Sequence, residues 1–406
     1  MKLRKSVKAA MNILCIENLR QNQQKPINAI LDGKDTMVIA PTSFGKSLIY
    51  QIPAVISDGL TVVIEPLLAL MHDQAQKLNG LGVPAACLNS TLSTKDRKSV
   101  WRKIKENRLK LLYLTPEQLA HGILQELSIH VRIDIVVVDE CHCVTMWGST
   151  FRNGYLGIGE QLNKLPYHPT VVAMSASVVP AERKAIMESL SMTDVKLCVF
   201  PLYRSNLVFS QKSVKSRKAA TAELLRVMTH YHQNTTIIFC NTVKAAESVA
   251  KKLESKKKYA DDVILYHGRD KSHEREMLSG KKHIIVATSA LSLGVDLRGV
   301  DLVVHYNMPL SLAEYSQMAG RAGRDGQKAR SVLIYNPDDY NTNYGLLQSI
   351  ENASARKRAI KLLDEMKEYC EDDKHCMVMR LLKALGEDHK KNCRYCTVCQ
   401  KGRRNS

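Results

Sequence analysis

The 406-residue sequence has no uninterrupted apolar stretch of membrane-spanning length. Its best run, "LTVVIEPLLALM", is broken by Glu65 and Pro66. A secretory leader is not expected, because "MKLRKSVKAAMNILCIENLR" starts basic and soon turns charged again. Acids are in short supply: 59 Lys+Arg against 40 Asp+Glu leave a formal net charge of +19 and a sequence pI near 9.4. That balance favours a polyanionic partner, since each neutralised phosphate releases counterions, although a merely soluble basic surface would carry the same charge. No long basic amphipathic helix supports an anionic membrane as the partner. Aromatics are scarce, with two Trp and five Phe. Cysteines number 11, but seven stand singly or inside apolar runs, which excludes a disulfide framework and implies a reduced, intracellular protein.

A hydrophobic fraction of 45% is that of a globular chain with room for two or three cores. Short apolar β-rich runs alternate with longer amphipathic stretches, the pattern of parallel α/β sheets. "TMVIA", "LTVVIE", "LKLLYL", "DIVVVD" and "TVVAMS" predict one set of strands. "TTIIFC", "DVILYH", "HIIVAT", "DLVVHY" and "RSVLIY" predict a second, with a linker around residues 211–220. The expected architecture is α/β: two tandem doubly wound parallel-sheet lobes (1–205 and 206–340), then a small helical metal-binding module (341–400) and a frayed tail (401–406). Residues 357–368 predict a helix in the module.

"VIAPTSFGKSLIYQ" follows the first strand and opens a helix, so Gly45, Lys46 and Ser47 fall where backbone N–H groups can cradle phosphates. Lys46 is expected at the β/γ-phosphates and the Ser47 hydroxyl on Mg²⁺. Ala40 stands where the strict phosphate-loop pattern has its first glycine. A Gly-Lys-Ser tripeptide is weak alone, but "DIVVVDECHC" ends a later strand in Asp139 and Glu140. Two carboxylates at a strand end repel unless a cation or ligand joins them. Asp139 is expected to hold Mg²⁺ through its water shell and Glu140 to activate the attacking water, which makes ATP or another NTP the substrate. In "EYSQMAGRAGRDG" (314–326), Arg324 is the expected finger and Arg321 a second phosphate contact. "TSALSLGVD" (288–296) places Asp296 near the ribose or the arginines.

Near the end, Cys376 precedes "CRYCTVC", which supplies Cys393, Cys396 and Cys399 at tetrahedral-thiolate spacing, for which Zn²⁺ is the intracellular default. Cys370 and His375 could each replace one ligand, and a redox dithiol is the weaker reading. Trp147, Phe151 and Tyr155, with Arg152 among them, follow the acid pair directly. Aromatic faces beside basic residues are stacking platforms for unpaired bases, against the alternative that Trp147 fills the core.

Taken together, these residues resemble the RecQ family of DNA helicases from about Leu14 to Cys399. "LRQNQ", with Arg20 and Gln23, is similar to the family's adenine-reading segment. "APTSFGKSLIYQIPA" resembles its Walker A region, carrying Thr42, Ser43 and Phe44. "EPLLALMHDQ", "CLNST" and "LLYLTPEQL" follow in family order. "DECHCVTMWGSTFRNGY" resembles the DEAH box with its aromatic-rich loop, adding His142 to the residues that couple DNA to hydrolysis. "MSAS", with Ser175 and Ser177, resembles the motif that links hydrolysis to movement. "QMAGRAGRDG", with Gln317, resembles the arginine-finger motif.

Departures are Ile16 for a stacking aromatic, Glu65 for a serine beside the DNA path, Cys141 for an alanine, Met146 and Ser149 in the loop, and Met377-Val378 for an arginine pair. The resemblance implies an ATP-dependent helicase or translocase moving 3′ to 5′ on single-stranded and partially duplex DNA, in repair or recombination. ATP, Mg²⁺ and Zn²⁺ are the implied cofactors. The alternatives are an RNA helicase and a DNA-binding regulator whose ATPase has decayed. No membrane partner is expected, the oligomeric state is left open with a monomer compatible, and the placement is nuclear for a eukaryotic source or cytoplasmic for a bacterial one. The chain is read as ending after the zinc module, without the winged helix of longer members.

Overall fold

The computed structural model describes residues 4–404 except 21, 42–43, 145–152, 177, 233, 268–275, 278–279, 293–296 and 298. The chain divides into two compact units, Met1–Pro201 and Leu202–Ser406. Among the described residues, no helix is long and apolar enough to cross a membrane.

The first unit is built on β1 (Thr36–Ile39), β2 (Leu60–Ile64), β3 (Ala85–Leu88), β4 (Leu111–Leu114), β5 (Ile133–Val138), β6 (Thr170–Ser175) and β7 (Lys196–Val199). They pair in parallel in the order β3-β4-β2-β5-β6-β1-β7. Strands covered on both faces read as continuous apolar runs, and alternate residues serve opposite cores. Val62, Ile64, Val136 and Val138 enter one core, whereas Val63, Ile135 and Val137 enter the other.

The second unit carries β8 (Leu207–Ser213), β9 (Thr235–Phe239), β10 (Val263–Tyr266), β11 (Ile284–Ala287), β12 (Val300–His305) and β13 (Ala329–Tyr335), again parallel, in the order β10-β11-β9-β12-β13-β8. A helix over Ala353–Glu371 follows, capped by Asn352, whose side chain accepts from Ala355 N–H at 3.0 Å. It is longer at both ends than residues 357–368.

Three strands escape the apolar pattern. β3 is short and begins with two alanines, β7 is an edge strand with an exposed face, and β8 is polar along its second half. β8 also corrects the linker expected at 211–220. It pairs with β13 as far as Ser213, and Ser216 then caps the helix Arg217–Tyr231 by accepting from Ala219 N–H at 3.2 Å. An edge strand needs its ladder on one side only, and Gln211 of β8 uses its polar groups on Thr397 and Cys370, so low apolarity there signals an edge and not a break. The tail is corrected as well, because residues 401–404 continue the helix Thr397–Arg404.

Candidate nucleotide and metal sites

In an open parallel sheet, ligands gather where loops leave the carboxyl ends of the strands. β1 ends at Ile39, and the next amide, Ala40 N–H, donates to Ser175 O at 3.0 Å. The chain then turns into the helix Lys46–Ile56 through Gly45, at φ +81°. A Cβ on Gly45 would stand 2.8 Å from Gln23 Nε2, so this position needs glycine for both its backbone and its space. Gln23 is buried and holds the loop from outside. Its amide donates to Phe44 O at 2.8 Å and Gly45 O at 3.2 Å, while its Oε1 accepts from Arg20 N–H at 2.8 Å. The Phe44 ring stacks on Phe200 at 4.4 Å. Lys46 and Ser47 thus begin a helix whose free N–H groups and dipole favour an anion.

The acid pair lies beside that helix. Asp139 N–H donates to Ile64 O at 3.0 Å, which extends the β2–β5 register by one residue. Glu140 adopts φ +49°, a left-handed backbone uncommon for a non-glycine residue, and its N–H donates to Asp139 Oδ1 at 2.8 Å. Its carboxylate meets buried His142 at 3.2 Å, and the same ring nitrogen lies 2.9 Å from Ser175 Oγ at the end of β6. Burial opposes a charge on His142, but contact with Cys143 and Glu140 outweighs it and takes the ring up to about 10. For Asp139, burial raises the pKa and Glu140 adds to the rise, while Lys46 opposes both. Within the first unit, Gln23, Gly45, Lys46, Asp139, Glu140, His142 and Ser175 therefore form one connected site.

Two readings change. Tyr155, expected in the stacking platform, is fully buried and its hydroxyl donates to Asp139 O at 3.1 Å. It braces the acid pair from the core. Glu65, expected beside a nucleic-acid path, is 3% exposed and sits within electrostatic reach of Asp139, Glu140 and Lys46. The β2–β5 pairing puts it there, a long-range register that no local motif signals. Burial and then Asp139 and Glu140 raise its pKa well above the ordinary carboxylate range.

The folded protein therefore keeps a proton on Glu65 at pH values where the unfolded chain has lost it. That contribution to stability is complete below the usual carboxylate range and disappears as pH rises through the raised value. Glu65→Gln, which never charges, is expected to melt higher than the parent, with a gap that widens from about pH 5 to about pH 8 without added Mg²⁺. A gap that stays flat or narrows in differential scanning fluorimetry would show that Glu65 is not held against its charge.

In the second unit, the helix Leu312–Ala319 is capped by Ser311, which accepts from Glu314 N–H at 3.1 Å, and its C-cap is Gly320. Gln317 and Arg321 are buried and Arg324 is half-buried on the turn that follows. Thr42, Ser43, Trp147, Phe151, Arg152, Ser177 and Asp296 lie outside the described residues.

The four cysteines converge. Cys376 is the N-cap of the helix Met377–Ala384, Cys399 lies on the helix Thr397–Arg404, and the four sulfurs fall within 4.8 Å of one another. Cys376 and Cys396 Sγ are 4.0 Å apart, close to the roughly 3.8 Å between thiolates of a tetrahedral Zn²⁺ site. The Cys376 sulfur also accepts Cys393 N–H, and the Cys393 sulfur accepts Cys396 N–H, each at 3.3 Å. All-sulfur donors at this spacing fit Zn²⁺. Neither spare joins the group: Cys370 is buried in the helix Ala353–Glu371, and exposed His375 pairs with Asp372 at 2.8 Å.

A phosphate-loop lobe with an acid pair, followed by a second parallel lobe with an arginine turn, defines the two-lobed helicase class. The DEAD/DEAH box helicase family matches residues 20–186 and the helicase conserved C-terminal domain matches 217–326. Solved structures agree on the fold. Mycobacterium smegmatis helicase Lhr bound to ssDNA and AMP-PNP aligns at TM-score 0.67 and 21% identity, covering 86% of this chain and 50% of that one. S. cerevisiae Dbp5 bound to RNA and ADP BeF3 aligns at TM-score 0.67 and 16% identity, covering 89% and 98%.

Within that class, the chain belongs to the RecQ family. The RecQ zinc-binding family matches residues 337–400. The probable ATP-dependent DNA helicase RecS of Bacillus subtilis is 32% identical over 91% of this chain and 74% of its own length. The ATP-dependent DNA helicase RecQ of Synechocystis is 33% identical over 78% and 68%. The RecQ of Pasteurella multocida is 33% identical over 94% of this chain, which spans 60% of that relative's length.

Proposed function

We propose that the chain is an ATP-dependent DNA helicase or translocase, moving 3′ to 5′ and acting in repair or recombination. The observation that carries the proposal is the buried Glu140–His142–Ser175 chain, which ties the acid pair to the end of a neighbouring strand. In this reading, Lys46 and the helix N-terminus hold the β- and γ-phosphates, while Ser47 and Asp139 hold Mg²⁺. The bound cation would neutralise charge on the phosphate oxygens. Glu140 orients the attacking water and accepts its proton, and His142 fixes the rotamer in which Glu140 does so. Arg20 and Gln23 form the adenine side of the site, with Thr42, Ser43, Phe44 and Asp296 assigned to the nucleotide by the family pattern. Arg324, Arg321 and Gln317 supply the finger turn. Trp147, Phe151 and Arg152 stack on single-stranded DNA, and Ser177 joins Ser175 in passing the signal on.

DNA is preferred over RNA because the bacterial RecQ and RecS relatives are DNA helicases by name. Steady-state ATPase with single-stranded DNA, single-stranded RNA or neither tests the reading. Turnover is expected to rise at least tenfold with DNA and little with RNA. Equal stimulation by RNA would replace the substrate, and no stimulation by either would leave a binding protein. Ser175→Ala keeps the acid pair but cuts its link to β6. It should lower DNA-stimulated turnover about tenfold while basal turnover changes less than about threefold. Equal losses in both rates would assign Ser175 to the chemistry and not to the coupling.

A further inference from the structure

The turn that carries Arg321 and Arg324 is held from a distance. Arg204 reaches it with both terminal guanidinium nitrogens: Nη1 donates to Gly320 O at 3.1 Å, and Nη2 donates to Gly323 O. Two residues on, Asn206 Nδ2 donates to the same Gly323 O at 2.9 Å and to Gln327 O at 2.7 Å. Gly323 takes φ +59°, and a Cβ there would stand 2.7 Å from Asn206 Nδ2, so the turn is seated tightly on this segment. The fork joins the C-cap carbonyl of the helix Leu312–Ala319 to the Gly323 carbonyl of the turn beyond it, which also accepts Gly326 N–H at 3.1 Å. A cation at a helix C-terminus is also favoured by the dipole.

The segment is itself anchored. Leu202 N–H donates to the Glu387 carboxylate, and the Tyr203 ring stacks on His389 at 4.5 Å. Further along, Gln211 N–H donates to Thr397 Oγ1 at 2.8 Å, and its side-chain amide donates to Cys370 O at 2.5 Å. Glu387, His389 and Thr397 all belong to the cysteine module, so residues 202–211 lie between that module and the arginine turn.

We propose that Arg204 is a positioning residue for Arg321 and Arg324, and that the zinc module sets its place through Leu202 and Tyr203. The proposal rests on the finger role given to Arg324 above. A planar fork bonded to two carbonyls fixes the distance between Gly320 and Gly323, and with it the direction in which Arg321 and Arg324 leave the chain. A lysine offers a point charge without that fork and cannot fix two acceptors in the same way. Burial and the neighbouring charge of Arg324 lower the Arg204 pKa, with Asp325 opposing them.

The test uses the full chain. DNA-stimulated ATPase, ATP KM and DNA affinity are measured for Arg204→Ala, Arg204→Lys, His389→Ala, Arg324→Ala and the double variants with Arg204→Ala, alongside zinc content and hydrogen exchange at residues 320–327. Arg204→Ala should lower kcat about tenfold with ATP KM and DNA affinity within about twofold, and lysine should not rescue it. Exchange across 320–327 should quicken while zinc stays bound. Arg204→Ala should add nothing to Arg324→Ala, and His389→Ala should lower kcat about twofold only while Arg204 is present.

Normal kcat in Arg204→Ala beside an inactive Arg324→Ala would overturn the proposal, as would losses that multiply in the double variant. If Arg324→Ala keeps full turnover, the finger assignment fails on its own. Exchange then decides: unchanged protection in Arg204→Ala overturns the positioning role, and lost protection supports it.

Discussion

Glu140→Gln is expected to bind ATP as the parent does and to turn it over at about one hundredth of the rate or less. The amide preserves the shape of the side chain but cannot accept the proton that the attacking water must lose. Lys46→Ala should behave oppositely. It removes a charge that balances phosphates at the helix N-terminus, so ATP affinity falls first. Glu140 already sits in a left-handed backbone with its carboxylate fixed by His142, so substitution leaves little freedom for a neighbour to take over. Isothermal titration with a slowly hydrolysed ATP analogue, run beside steady-state ATPase, separates the two effects. DNA-stimulated turnover near the parent level in Glu140→Gln would sink the assignment of the general base.

Cys396→Ser should release a tightly bound zinc, present at one per chain in freshly purified protein, and open the end of the module to protease. Between residues 386 and 400, only Cys393 and Cys396 are buried. Four thiolates around a metal therefore do there what an apolar core does elsewhere. The preceding helices should survive, because they bury apolar side chains of their own, Leu363, Met366, Leu381 and Leu382. Limited proteolysis with metal analysis checks both halves: cleavage confined to the region after about residue 386 is expected. Metal analysis without zinc, or cleavage spread through residues 353–385, would overturn this account.

The site was legible in the sequence wherever its chemistry is local. Gly45-Lys46-Ser47 after a buried run, Asp139-Glu140 at a strand end and the C-x-x-C steps all announce themselves within a few residues. The central strands were legible because burial on both faces demands unbroken apolar runs. Edge strands carry no such demand, so β7 and β8 show no unbroken apolar run. Register was invisible too. Nothing near "VVIEPLL" says that Glu65 will stand beside Asp139, because that adjacency is set by how β2 pairs with β5. Aromatic identity does not encode exposure, so Tyr155 looks like part of the stacking platform although it is fully buried. Arg204 carries no local signal because its acceptor on Gly320 lies 116 residues away.

The position of β1 also bears on how the protein is made. Thr36, at the start of the strand, pairs with Val172 on one side and Lys196 on the other. A ribosome must therefore release nearly the whole first unit before the phosphate loop gains either neighbouring strand. β2, β3 and β4 can associate earlier, since they pair among themselves. During that interval β1 is a short apolar segment with two unmatched edges, the kind of species that sticks to other nascent chains. Nucleotide can rescue the fold only after the sheet closes, so ATP should do little for yield during synthesis. A slower elongation rate across residues 134–200 would lengthen the exposure of β1 and lower the soluble fraction.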